Sequence, residues 1–216
     1  MKKRTNIIII IVLAIILLLE IVLVKLGVFN TIDNFIYSHA SKIINNTNTL
    51  IFRGFSVLGT EIFILFFCLI WIILNKSRGV AISVVVLAST LLNQVLKIIV
   101  RRPRPNINPL AVENSFSFPS GHTMIMVVIG GILIYLLWQK RGDNAKCNTK
   151  WIARNVILTV IICLIAITVM FSRIYLGVHY FSDIIGGITS GLLFLFISYY
   201  YYTFKFKVPY YPGKRK

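Results

Sequence analysis

The chain is predicted to be all-α, a six-span transmembrane helical bundle, and three observations predict it. Of its 216 residues, 57% are hydrophobic and only 13% are charged, far more apolar than a soluble domain of this size needs. The apolar residues fall in continuous runs rather than alternating ones, and lipid admits only helices or closed barrels. The basic residues sort by loop, as they do in polytopic membrane proteins.

The spans are expected at about 7–26, 55–74, 80–100, 122–138, 156–171 and 184–202. The first follows Lys2, Lys3 and Arg4, as a signal peptide does. Its apolar run is too long for a signal core and no small-residue cleavage site follows, so it is read as a retained span. The fourth and fifth look short and would borrow flanking residues or cross a thin region. The sixth closes on the Tyr199–Tyr202 run with Phe204 and Phe206, an interfacial aromatic belt. The segments between spans are too short for a second unit, so residues 1–216 are read as one integral-membrane domain.

The net charge of +17 does not imply nucleic acid, because the charge is not gathered on one soluble face. With both termini cytoplasmic, 15 of the 23 basic residues lie in inner segments. The outer side keeps Lys25, Lys42, Arg53, Lys97, Arg101, Arg102, Arg104 and Arg173, and five of these eight cluster around two loops. Cys68, Cys147 and Cys163 fall in a span, an inner loop and a span, so no disulfide is expected.

All the unusual residues lie at four ends that this topology brings to one face. Lys97 sits inside the third apolar run, where a charge costs roughly 2.5–3.5 kcal/mol at mid-bilayer and less toward the interface. A snorkelling lysine is the bland reading; the following Arg101-Arg102-Pro103-Arg104-Pro105 argues against it. Proline stops the helix, and a guanidinium fork bonds two phosphate oxygens at once. Phe118-Pro119-Ser120-Gly121-His122 opens span four. A capped helix start with glycine is an anion cradle, although the same string also suits an ordinary capped start beside an interfacial His122. Arg173 leaves span five, and His179 and Asp183 enter span six at helical i, i+4 spacing. Imidazole beside carboxylate makes a nucleophile; a neutral interfacial histidine with a capping aspartate is its plain alternative. His122, His179 and Asp183 also supply three potential metal ligands, but Lys97, Arg104 and Arg173 would repel a divalent cation and hold a phosphate dianion. His39 has no such company and is read as an exposed loop residue.

Taken together, Lys97 then six residues then Arg104-Pro105, Pro119-Ser120-Gly121-His122, and Ser172-Arg173 then five residues then His179 then three residues then Asp183 resemble the three-part signature of the type 2 phosphatidic acid phosphatase superfamily. Order and spacing match in all three parts, over about residues 97–183 by motif and the whole chain by layout. The Arg102-Pro103 pair lies too close to Lys97 for the first motif, so Arg101 and Arg102 are left as headgroup contacts. The resemblance implies a bacterial membrane lipid phosphatase that needs no metal or cofactor and works through a phosphohistidine. His179 would be the nucleophile, Asp183 its orienting partner and His122 the acid and base. Lys97, Arg104, Arg173, Ser120 and Gly121 would bind the phosphate. The implied partners are membrane lipids and a lipid phosphate substrate: phosphatidylglycerophosphate, phosphatidic acid or undecaprenyl pyrophosphate, met on the extracytoplasmic side. A lipid phosphotransferase and an anion or lipid transporter are the rival classes. Haloperoxidase chemistry, which the same signature hosts on soluble folds, is disfavoured by the spans.

Overall fold

A computed structural model describes residues 3–106, 109–139 and 149–205. Among them the regular structure is helical: α1 (Lys3–Lys25), α2 (Asn30–Ser41), α3 (Asn46–Ser56), α4 (Glu61–Leu74), α5 (Lys76–Val100), α6 (Gly121–Trp138), α7 (Thr149–Tyr175) and α8 (Phe181–Tyr200). Short 3-10 and π turns follow α3 and α8.

Five helices are long and apolar enough to cross a membrane: α1, α5, α6, α7 and α8 with its π turn. The second expected span is broken. α3 and α4 meet at a 51° bend and make a sixth crossing only if the pair is taken as one. The break follows from local chemistry: Thr60 is extended (φ −79°, ψ 158°) and its hydroxyl caps α4 by accepting from Phe63 N–H. With 14 residues, α4 is about 21 Å long, short of a ~30 Å hydrocarbon core. The fifth span is long rather than short. The helix starts at Thr149 and runs 27 residues, because the polar Thr149–Asn155 turns and the Ser172–Tyr175 end are also helical.

The outward faces are apolar. On α1 they carry Ile8, Ile11, Ile15 and Leu19; on α7, Ile157, Val160, Ile161 and Leu164. Such a surface suits lipid and would be an association hazard in water. The interior is built around α6, which packs on α5, α7 and α8. Against α5 and α4 it buries Ile125, Val128, Ile129 and Ile132 with Ile64, Cys68, Ile82 and Val86. Against α8 it meets small residues: a Cβ at Gly187 would lie 2.7 Å from Thr123 Cβ and 2.8 Å from the Ser120 carbonyl oxygen. Backbone approach through small residues is the usual basis of tight helix packing in lipid. Cys68 and Cys163 are free thiols, and Cys147 lies outside the described residues.

Two connections carry the site. α5 stops at Arg101, in the left-handed region (φ 53°), where its N–H bonds the Lys97 carbonyl. Beyond Arg101, two backbone bonds fold the described residues back over the bundle end: Ser117 N–H bonds the Arg102 carbonyl and Ser120 N–H bonds the Asp183 carbonyl. α7 ends in a turn through Gly177 (φ 69°), and the Val178 and His179 N–H groups return to the Arg173 carbonyl. The ends of α5 and α7 and the starts of α6 and α8 are thereby tied together.

Candidate active site

His179 lies between α7 and α8, 2% exposed. Its Nδ1 is 3.3 Å from Asp183 Oδ2 and its Nε2 is 3.3 Å from Arg104 Nη1. An ionised carboxylate only accepts, so Nδ1 carries the proton and the Nε2 lone pair faces the guanidinium. Burial pushes the His179 pKa down to about 4; Asp183 opposes the shift, while Arg104 and Arg173 add to it. The imidazole is therefore neutral at pH 7.

Asp183 is fully buried and both its oxygens are taken. Oδ2 accepts from His179, from Tyr180 N–H at 2.9 Å and from the Ser117 hydroxyl; Oδ1 accepts from Arg102 Nη1 at 2.6 Å. With Asp183 committed in this way, it does not combine with His122 and His179 into a metal-sized cluster, and no three His, Cys, Asp or Glu side chains among the described residues do.

The cations stand around the histidine from three directions. Arg104 is pinned by the Ser115 carbonyl (2.6 Å) and the Val178 carbonyl (2.8 Å), and burial lowers its pKa against the pull of Glu113 and Asp183. Lys97, 5% exposed, donates to the Ser115 hydroxyl at 2.8 Å. Arg173 donates to the Ser56 hydroxyl and to Glu113, and its buried Nε has no partner among the described residues. A cavity of about 390 Å³ opens beside this group, lined by Lys97, Gly121, His122 and His179 together with Gly59, Asn93, Glu113 and Ser115. It continues toward Ser89, Met124 and Ile125 between α4, α5 and α6.

Of the eight residues singled out from the sequence, Lys97, Gly121, His122 and His179 line this cavity, while Arg104 and Asp183 contact His179 and Arg173 contacts Glu113 in its wall. The eighth, Ser120, is fully buried beneath it and its hydroxyl accepts from Thr123 N–H and Oγ1, so it caps α6 instead of facing the cavity. Gly121 is required sterically, since a Cβ there would lie 2.9 Å from Asn93 Oδ1. Asn93 in turn holds the Pro119 carbonyl at 3.2 Å. His122 packs its ring over Gly59, where a Cβ would come within 2.3 Å of Cδ2.

Sequence reasoning misplaced Arg102. Far from reaching toward headgroups, it is 8% exposed and bridges Asp183 and Asp33. Proline on its C-terminal side and the left-handed Arg101 before it turn the side chain inward. Reasoning from motifs also missed Asp33 on α2 and Glu113, whose carboxylate contacts both Arg173 and Arg104 (3.5 Å to the latter). A signal was present: six acidic residues stand against 23 basic ones, so every acid is a candidate partner for a buried cation.

Known proteins resemble this chain in sequence and in fold. The model of the PAP2 superfamily matches residues 78–207. Phosphatidylglycerophosphatase B of Bacillus subtilis is 39% identical over 107 residues, 50% of this chain and 49% of that protein. Dolichyldiphosphatase of Saccharomyces cerevisiae is 26% identical over 61% of this chain and 55% of its own length. The chain thus spans about half the length of these curated relatives. The crystal structure of a transmembrane PAP2-type phosphatidylglycerolphosphate phosphatase from Bacillus subtilis superposes with a TM-score of 0.77 at 28% identity, covering 94% of this chain and 98% of that one. Aquifex aeolicus LpxE shares the fold at a TM-score of 0.58 and 23% identity, over 75% of this chain and 91% of its own. Because the family model spans more than half of the chain, the chain belongs to the PAP2 superfamily, the type 2 phosphatidic acid phosphatases that its sequence resembles.

Proposed function

We propose that the protein hydrolyses a membrane lipid phosphate, monoester or diphosphate, through a covalent phosphohistidine and without a metal ion. The observation that carries this reading is the poise of His179: neutral, its Nδ1 proton on Asp183 and its Nε2 lone pair beside Arg104 at a cavity wall shared with Lys97 and His122. Nε2 attacks phosphorus, the bond from phosphorus to the leaving oxygen breaks, and His122 delivers a proton to that oxygen. Water, deprotonated by His122, then attacks the phosphohistidine and releases inorganic phosphate. Lys97, Arg104, Arg173 and the Gly121 N–H at the start of α6 hold the negative oxygens through both steps, with Ser120 keeping the helix start in place.

The substrate is amphiphilic, because the site lies at a bundle end and the cavity runs on between apolar helices. Relatives named for phosphatidylglycerophosphate and for dolichyl diphosphate favour phosphatidylglycerophosphate, phosphatidic acid and undecaprenyl pyrophosphate as candidates, with overlapping use. The excess of basic residues in the alternate segments favours both termini in the cytoplasm and the site on the extracytoplasmic face of a cell membrane.

The test is phosphate release from these lipids in detergent, with His179→Ala as blank. Release in wild type, none in the variant, inhibition by vanadate and indifference to EDTA are expected. Zinc-dependent activity, or labelled phosphate still trapped on His179→Ala, would overturn the mechanism. A phosphorylated alcohol in place of free phosphate would reassign the protein as a transferase.

A further inference from the structure

Arg102 lies outside the phosphate-binding set, yet it is the cation bonded directly to Asp183. Nη1 donates to Asp183 Oδ1 at 2.6 Å and to the Ser182 hydroxyl at 2.7 Å, and Nη2 donates to Asp33 Oδ2 at 2.8 Å. Its flat face lies 4.1 Å from the centre of the Tyr180 ring. Asp33, reaching in from α2, accepts from Ser182 N–H at 2.8 Å and from the Ser182 hydroxyl at 2.6 Å. The fork thus holds both neighbours of the dyad, Tyr180 next to His179 and Ser182 next to Asp183. The side chains of Asp33 and Asp183 are 1% and 0% exposed, so water screens neither ion pair.

We propose that Arg102, anchored by Asp33, is a positioning residue that aims the Asp183 carboxylate at His179 and sets how strongly that carboxylate attracts the imidazole proton. The inference rests on the phosphohistidine reading. Two donors on one carboxylate compete for its charge. Arg102 on Oδ1 makes Asp183 a weaker base toward the Nδ1 proton on Oδ2, so the proton stays on the imidazole when Nε2 is phosphorylated and the cationic intermediate persists as an ion pair. Asp33 works in the opposite sense, drawing part of the Arg102 charge away from Asp183. The other charged groups facing His179 are Arg104, Arg173, Lys97, Glu113 and His122, with Glu61 further along the cavity. All are untouched by substitution at 33 or 102.

Opposite signs make this testable. Arg102→Met removes a cation, makes Asp183 a stronger base and raises the pH at which His179 protonates. The acid limb of kcat/KM should move up by about one pH unit, as loss of a like charge near a protonating imidazole does. Arg102→Lys keeps the charge, so the limb stays within a few tenths of wild type while kcat falls through lost aim. Asp33→Asn strengthens Arg102 on Asp183, and the limb moves down. Because Arg102 does not touch substrate, Arg102→Met should cut kcat by about tenfold or more with KM within about threefold. Titration of the substrate is common to all variants and cancels. An unmoved limb in Arg102→Met, or one moved the same way in Asp33→Asn, would leave only a structural role and overturn the proposal. So would a raised KM at unchanged kcat, which would return Arg102 to headgroup binding. If Arg102→Met does not fold, the near-isosteric Asp33→Asn alone decides by the direction of its shift. A wild-type enzyme inactive on every lipid phosphate, or a His179→Ala variant still active, would sink the phosphohistidine reading itself. A dead His179→Ala with unmoved limbs at 33 and 102 would sink only the role of Arg102.

Discussion

His179 is the residue whose environment differs most from water, and the consequence is a pH profile. With a folded pKa near 4 against an ordinary value near 6.5, the imidazole stays neutral through the mildly acidic range. Nucleophilic attack needs that neutral form, so kcat/KM is expected to hold as pH falls through 6 and to drop only as it approaches 4. A drop centred on 6.5 would contradict the burial of the residue. Stability has the same sign. The unfolded chain takes up this proton first, so the contribution of neutral His179 is complete above about pH 6.5 and drains away as pH falls toward 4. Asp183→Asn leaves the packing intact but offers an amide that can present N–H to Nδ1 and reverse the tautomer. By analogy with the triad aspartate, kcat should fall by about 10³- to 10⁴-fold while the variant stays folded. Glu113 tests the phosphate set from the other side. Its carboxylate occupies Arg173 and Arg104, the same guanidinium groups assigned to the phosphate oxygens. Glu113→Gln should release that competition and tighten vanadate inhibition by roughly tenfold, about 1.4 kcal/mol; weaker inhibition would show that Glu113 instead aligns the two arginines. The motif residues were legible in the sequence because each pair lies on one helix or at its end, where spacing fixes geometry. Asp33, Arg102 and Glu113 were not, since the pairings of Arg102 with Asp183, Arg102 with Asp33 and Glu113 with Arg173 cross 60 to 81 residues and no local period records such a distance.

At the scale of elements, the departure that matters is the broken second span. Hydropathy sees one apolar run over 55–74, but Gly59-Thr60 interrupts the helix within it, and apolar content alone carries no sign of a turn. The interruption is used. Ser56, at the end of α3, accepts from Arg173, and Gly59 lies directly under the His122 ring. One bend therefore backs both Arg173, proposed to bind phosphate, and His122, proposed as the acid and base. Gly59→Ala should push His122 off its seat, because the new methyl would lie 2.3 Å from Cδ2 and 2.6 Å from Cγ. We expect kcat to fall by about ten- to a hundredfold, the scale on which catalytic misplacement by about 1 Å acts. The melting temperature should change little, since the ring can yield toward the cavity. A large loss of stability with kcat retained would mean that the backbone moves instead. The amphipathic α2 was also invisible to a search for spans, being only 12 residues long with Asp33 and His39 within it. Its purpose becomes visible only from Asp33, which latches the helix to Ser182 and Arg102.

For the molecule as a whole, the charge balance at this end of the bundle would suit a dianion. Lys97, Arg102, Arg104 and Arg173 face Asp33, Glu113 and Asp183, which leaves one positive charge in excess where burial makes each charge costly. An incoming phosphate dianion relieves that excess, and it also offers an acceptor to a guanidinium with a buried donor to spare. The same charges bear on the proposed orientation. α5 runs 25 residues, about 37 Å, from Lys76 and Arg78 to Lys97 and Arg101, so its two ends must lie on opposite sides of a bilayer. Counted along the sequence, most of the other basic residues fall in segments on the Lys76 side of the expected spans, and a positive cytoplasmic side would then put the proposed site outside. Two positions report this without touching the chemistry. Val112 is 90% exposed in the segment that covers the site, and Ser77 is exposed in the first turn of α5. In a background where Cys68, Cys147 and Cys163 are replaced, a membrane-impermeant maleimide added to right-side-out vesicles should label Val112→Cys and leave Ser77→Cys until detergent is added. The reverse pattern would turn the whole bundle over and place the phosphatase site in the cytoplasm. Labelling of both before detergent would mean that α5 does not cross the bilayer.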